Sequence, residues 1–398
     1  MRSILSPVAA CLGALAVALT LFSSFSLPVR AQEGGWSDSD TISIGTSLPL
    51  SGSFSAVGLE TKQGIEAAFN EVNAAGGIGG KKLVLVAANN GYDPLLCVQN
   101  TLQFVNSGKI FALCSYVGTP TSLKAQPVWQ GAKLPVVGFY TGARALREPF
   151  NRYNIHIRAS YAAETEAAVA AFTEKLGAKK FALVYQDDSF GEAVRTGAEA
   201  ALRKRGLAPA ASGTFVRGTL GVEEALDKVV PAAPDIVVLA GTYAPLAKAI
   251  RLAKERGLRH TVFYTVSFVG PEALATALGD DVDRVVVSEV VPLYTDTSLP
   301  MVAPYLAALK GHSPSFPSFE GYLNACVLIE GLRRAGKDPT REAFIDAIET
   351  IKAGQLAPKC PIEYGPNDHV GLDLAYLIAL EKGKWVELTD WQGLALTK

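Results

Sequence analysis

TISIGTSL (Thr41–Leu48), PLSGSFSAVG (Pro49–Gly58) and KLVLVAA (Lys82–Ala88) decide the fold of this chain. The first and third are short apolar runs rich in β-branched residues, the composition of buried strands. Between them Val57–Ala75 reads as a helix, because Ile65, Phe69 and Val72 recur on one face until Gly76-Gly77 stops it. Strand, helix, strand is the unit that joins parallel strands through a crossover.

The same rhythm continues outward. Asp93 caps a helix whose first residue is Pro94 and which runs to about Asn106. Strand Ile110–Cys114, a helix from Pro120 and strand Pro135–Val137 follow. The pattern restarts with helix Ala162–Leu176, strand Lys180–Tyr185 and helix Gly191–Arg205. Then come strand Asp235–Leu239, helix Ala244–Arg256, and strands Thr261–Tyr264 and Val285–Val291. The last quarter departs from it: helices near Val302–Lys310, Phe319–Ala335 and Thr340–Ile351, a short strand Ile362–Tyr364, then a hairpin. That hairpin pairs Leu374–Glu381 with Trp385–Leu388 around Lys382-Gly383. Near-continuous apolar strands alternating with helices mean parallel sheets covered on both faces. One sheet of this length is improbable, so the expected fold class is α/β with two doubly wound parallel-sheet lobes. No low-complexity linker separates them, which implies a chain that crosses between lobes more than once.

The start of the chain bears on location. One charge at Arg2, the apolar run Val8–Phe22 and the small residues of Val29-Arg30-Ala31 have the layout of a signal peptide over 1–31, cut before Gln32. A lipidation box at Val8–Cys11 fits less well, because the apolar run follows the cysteine. The expected location is the periplasm. Without the leader about 367 residues remain, enough for roughly two domains. The net charge of −1 becomes −3, with 35 basic against 38 acidic residues. No basic stripe is present, so nucleic acid is not an expected partner. Four cysteines remain. Cys97 and Cys114 lie on consecutive elements and could bridge, which would stabilise by about 3 kcal/mol in the chain-entropy model. Cys326 and Cys360 are left either paired or as separate thiols.

Open parallel sheets bind ligands at the carboxyl ends of their strands. Five loops there are short and rich in glycine, hydroxyls or rings: PLSGSFSAVG with Phe54, SYVGTPTS (Ser115–Ser122), FYTGAR (Phe139–Arg144), QDDSFG (Gln186–Gly191) and GTYAP (Gly241–Pro245). Thr119-Pro120 reads as a helix start whose amides, with hydroxyls of Ser115, Thr119 and Thr121, suit a carboxylate. Enzymatic readings fail. AGGIGGKK follows a helix and precedes a strand, the reverse of a phosphate loop. Histidines 156, 260, 312 and 369 lack ligand spacing, so no metal or cofactor is expected. No G-x-S-x-G elbow occurs.

The segment Ile44–Val86 (IGTSLPLSGSFSAVGLETKQGIEAAFNEVNAAGGIGGKKLVLV) resembles the opening of the periplasmic type I solute-binding proteins of the branched-chain amino acid transporter family. The similarity continues through YDPLLCVQNTLQFV, VGTPTSLKAQPV, YQDDSFGEAVRTGAEAALRKRG and LAGTYAPLAKAIRLAKERG. It implies two lobes joined by three crossovers, near Ala159, near Ser288 and near Val370–Leu374. The lobes would be 40–158 with 289–370, and 159–288 with 371–398. It implies no catalysis, a monomer, and delivery of a small molecule to an ABC permease and its ATPase. A sensor for a membrane receptor is the alternative use. It assigns Ser115 and Thr119, with Gly118 between them, to the ligand's carboxylate. Tyr140, Thr141 and Gly142 fall to its α-substituents, Phe190 and Tyr243 to the second lobe's rings. Cys97 and Cys114 match a pair bridged in some relatives.

Two departures qualify the ligand. Relatives carry an acid after the strand matching Val262–Tyr264 to pair with an ammonium, whereas TVSFVG (Thr265–Gly270) has none and offers Ser267. Val57 replaces a common tyrosine. The expectation is a small organic acid, aromatic ones included, with Phe54 and Tyr116 among the enclosing rings. It becomes an amino acid if Asp187 or Asp188 supplies the charge. Asp188 reads two to one as a helix cap.

Overall fold

The computed structural model describes residues 40–357 and 360–396. The expected leader and its cut before Gln32 lie outside them. The first sheet is built from β1 (Thr41–Leu48), β2 (Lys82–Asn89), β3 (Ile110–Val117), β4 (Val136–Tyr140) and β5 (Asn154–Ile155). Helices α1 (Ser55–Ala74), α2 (Pro94–Ser107) and α3 (Thr119–Gly131) connect its strands. Then α4 (Tyr161–Lys175), β6 (Phe181–Gln186), α5 (Ser189–Arg203), β7 (Pro209–Phe215), α6 (Glu223–Val229), β8 (Ile236–Ala240), α7 (Tyr243–Glu255), β9 (Val262–Thr265), α8 (Pro271–Leu278) and β10 (Val285–Glu289) form a second body. The chain returns to the first through α9 (Val302–Ala308), α10 (Phe316–Ala335) and α11 (Arg341–Glu349), and ends with β11 (Tyr376–Glu381) and β12 (Lys384–Glu387).

The strand orders are β2-β1-β3-β4-β5, all parallel, and β12-β11-β10-β9-β8-β6-β7, where only the β10–β11–β12 hairpin edge is antiparallel. Both are doubly wound. Their order reverses between β1 and β3 and between β6 and β8, the two places where a parallel sheet opens a crevice. The chain passes between sheets after β5, after β10 and after α11. Two of these passages are tied together: the His156 amide donates to His369 O (2.8 Å) and the Gly371 amide to His156 O (2.8 Å).

Sequence chemistry accounts for the elements. Asp93 caps α2, accepting from the Leu95 and Leu96 amides at 2.7 and 3.1 Å ahead of Pro94. Every residue of β3, β4 and β8 is buried, as strands covered on both faces must be. Helices α1 and α10 cross where Gly64 faces Ser318 and Gly321 faces Thr61, too closely for any Cβ.

Three expectations are corrected. Ile362–Tyr364 is not a strand; Ile362 and Tyr364 are buried with Glu363 exposed between them, but the segment pairs with no ladder. The N-cap of α3 is Gly118, with Thr119 already helical. Cys97 and Cys114 are free thiols, as are Cys326 and Cys360. The reason lies in the sheet. Cys114 packs with Ala112 in the core beneath α1 and α10, while Cys97 on α2 packs with Leu113 and Tyr116 on the opposite face.

Candidate functional site

The loops at the two crevices meet face to face, and aromatic rings fill the contact. Phe268, from TVSFVG after β9, is fully buried at its centre. Its ring lies 4.4 Å from Phe190 and 4.8 Å from Phe54, with Tyr140 at 5.8 Å and Tyr92 at 5.9 Å. Phe54 also stacks with Tyr243 at 5.9 Å, and Phe190 meets Tyr161 at 5.4 Å. Phe54 and Tyr92 belong to the first sheet's loops and Tyr140 to the end of β4, the other rings to the second body. A polar bond crosses the same seam: the Tyr140 hydroxyl donates to Ser267 O at 3.2 Å.

A polar edge borders the rings. Thr119 and Thr141 share a hydroxyl–hydroxyl bond of 2.6 Å, and the Ala143 amide donates to Thr141 at 3.3 Å. Gly142 accepts the Tyr161 amide at 2.9 Å and approaches it too closely for a side chain. Gly118 adopts φ 98° and lies against the Tyr92 ring, so a Cβ there would be both strained and obstructed.

Of the residues singled out from sequence, Phe54, Gly118, Thr119, Tyr140, Thr141, Gly142, Phe190, Tyr243 and Ser267 therefore gather at the seam. Two do not. Tyr116 is buried on the far face of the first sheet, bonded to Thr101 (2.9 Å) and edge-on to Trp129. Ser115 turns toward α10, where its Oγ accepts from Asn324 at 2.9 Å. Ser115 has φ 52°, and Gly138, which lies between the β4 residues paired with Cys114 and Tyr116, has φ 78°, so both strands reset their side-chain alternation at that level. Sequence reasoning missed Tyr92, Tyr161, Phe268 and Arg217. Phe268 stood in the quoted TVSFVG; the others carried no local signal.

The charged groups lie behind and beside the rings. Arg158 is fully buried, forks onto Glu320 (2.8 and 2.7 Å), and sits 4.4 Å above the Tyr140 ring. Burial opposes its charge, but Glu320 outweighs that and holds its pKa well above the ordinary value. Glu164 accepts from the Ser267 amide (2.8 Å), Ser267 Oγ (3.1 Å) and Ser288 Oγ (2.6 Å), and burial raises its pKa. The Ser267 hydroxyl is thus engaged, while the buried Thr265 hydroxyl has no hydrogen-bond partner. Burial pushes Glu289 well up, and its Oε1 has no hydrogen-bond partner. Asp188 caps α5 through the Phe190 and Gly191 amides at 2.9 and 3.2 Å, in agreement with the cap expected from sequence, and lies 3.4 Å from Arg217. Asp187 is exposed. Arg217 reaches across the seam: its guanidinium covers the Tyr92 ring at 4.2 Å and donates to Tyr92 O. Among the described residues no group of three or more His, Cys, Asp or Glu is placed to hold a metal ion.

Known proteins share this architecture. A family model described as periplasmic binding protein matches residues 41–384. A Leu/Ile/Val-binding protein homolog of Brucella suis is 24% identical over 351 residues, covering 82% of this chain and 86% of its own. The crystal structure of a possible leucine/isoleucine/valine-binding protein from Rhodopirellula baltica is 32% identical. It superposes with a TM-score of 0.84, covering 90% of this chain and 98% of that one. A substrate-binding periplasmic protein from Ralstonia solanacearum is 28% identical with a TM-score of 0.81, over 87% and 99%.

Proposed function

The chain belongs to the type I periplasmic binding proteins, the non-enzymatic solute-binding family that includes the Leu/Ile/Val-binding proteins, and from that premise we propose that it captures a small organic acid in the periplasm for an ABC permease and its ATPase. The two closing bodies are 40–158 with 289–370 and 159–288 with 371–398. The carrying observation is Phe268. It occupies the loop from which an acid would meet an ammonium, and it brings a ring into a cage of rings instead. An ammonium desolvated there without a countercharge would be costly. Asp188 is committed to its cap and to Arg217. The Thr119–Thr141 hydroxyls and the N-terminal end of α3, a helix of 13 residues, supply the donors a carboxylate needs. Rings on both bodies suit an apolar or aromatic remainder.

Native mass spectrometry of freshly purified protein tests this, since a closed two-lobed trap retains ligand. A bound carboxylic acid without an amino group supports the reading. A retained α-amino acid contradicts it.

A further inference from the structure

A cavity of about 650 Å³ lies apart from the ring-filled seam, between the loop after β4, the start of α4 and residues 367–373. Buried polar atoms without partners collect in its walls. Arg147 Nη2 donates to Arg158 O (2.9 Å) and Ala159 O (3.2 Å), which fixes the guanidinium against the first crossover. Its Nε and Nη1 are shielded from solvent and have no acceptor. Asn151 Oδ1 accepts from the Tyr153 amide at 3.0 Å, and its Nδ2 has no acceptor. His156 is 3% exposed; its Nε2 sits 3.1 Å from Leu146 O, and its Nδ1 is unpartnered.

Helix α4 starts at the same cavity. The Tyr161, Ala163 and Glu164 amides donate to Gly142 O, Ser160 Oγ and Ser160 O, leaving the Ala162 amide as the first-turn donor. Ser160 and Ala162 both line the space. Three carboxylates also reach its walls. Glu148 is tied to Arg144, Asp368 accepts from the Val370 amide at 3.0 Å, and exposed Asp373 favours the Arg147 charge without bonding to it. Burial lowers the Arg147 pKa to about 10, so the guanidinium stays charged at neutral pH.

A buried donor left unmade costs roughly 1–3 kcal/mol, more when charged. Several in one cavity, beside a helix N-terminus, call for an acceptor from outside the chain. We infer that this cavity is a second binding site, for a small oxyanion, with Arg147 as its cationic anchor and Asn151 and the Ala162 amide as neutral donors. Carboxylate and phosphate share that chemistry. The site lies against the two crossovers tied at His156, so its occupant touches the hinge and not the seam.

The test uses the exported chain, freed of cleft ligand by unfolding and refolding, and the NMR line widths of acetate and inorganic phosphate as separate probes. Broadening of either probe is expected, and whichever broadens identifies the oxyanion. Arg147→Gln and Asn151→Asp should each weaken it roughly tenfold or more, the worth of a charge-assisted bond. Asn151→Asp keeps the acceptor for Tyr153 and so guards against a folding artefact. Phe268→Ala, which alters only the ring cage, should leave this broadening in place. No broadening in the unmodified chain overturns the site, as does loss in only one of the two variants or equal loss in Phe268→Ala.

Discussion

Arg217→Ala should loosen the closed form without unfolding either body. The side chain leaves the loop after β7 and covers Tyr92 of the opposite body at 4.2 Å while donating to its carbonyl oxygen. Its pair with Asp188 lies within one body, exists open or closed, and cancels. What closure gains is a cation–π contact, about 1 kcal/mol for a partly exposed site, and a charge-assisted hydrogen bond of roughly 1.5–3 kcal/mol. The Arg217 side chain is 21% exposed, so water recovers part of this on opening. A net loss of about 2 kcal/mol lowers the closed population, and hence ligand affinity, roughly 30-fold. Titration calorimetry gives the affinity and stopped-flow the dissociation rate, which should carry most of the change. Tyr92→Leu removes the ring, and in a double-mutant cycle with Arg217→Ala the two losses should fall short of additive. An unchanged affinity in Arg217→Ala, or full additivity, refutes the clasp.

Three further outcomes follow from buried groups. Arg158→Met strands Glu320 at 2% exposure and should cost about 3–5 kcal/mol in chemical denaturation, most of it recovered in Arg158→Met/Glu320→Gln. Burial, and then neighbouring Glu60, raise Glu272 from 4.5 to about 8, while its Oε1 accepts the Phe316 amide across the seam at 3.2 Å. The folded protein therefore prefers the protonated acid, so its stability should fall as pH rises from about 4.5 to about 8 and level off above. Melting curves of Glu272→Gln should show a flatter profile over that window. Peptide mapping without reduction should recover no Cys97–Cys114 link, and both thiols should alkylate once the chain is unfolded; recovery of the linked pair would contradict the opposite-face placement.

The repeating units were legible because strands such as β8 and helices such as α5 carry their own periodicity and caps. Strand β7, PAASGTF, was not, since an edge strand half-exposed along its length needs no apolar run. Ile362–Tyr364 shows the converse: alternating burial looks like a strand when the pairing partner cannot be seen. At the site, loops at the crevices were found because their place in a parallel sheet is fixed by topology. Ser115 and Tyr116 were misplaced because the positive φ of Ser115, matched at Gly138, turns the side chains out of step with simple alternation. Tyr92, Phe268 and Arg217 meet only through contacts between the two bodies, which no local pattern records.

The most direct measurement is titration calorimetry of the ligand-free protein against matched pairs, each an amino acid and the 2-oxo acid with the same side chain, repeated on Phe268→Asp. The organic acid should bind more tightly to the unmodified protein, with the aromatic pair strongest, and Phe268→Asp should shift preference toward the amino acid by restoring a countercharge. Tighter binding of leucine, isoleucine or valine than of their 2-oxo acids by the unmodified protein, abolished by Asp187→Asn or Asp188→Asn, would contradict this reading of the cleft.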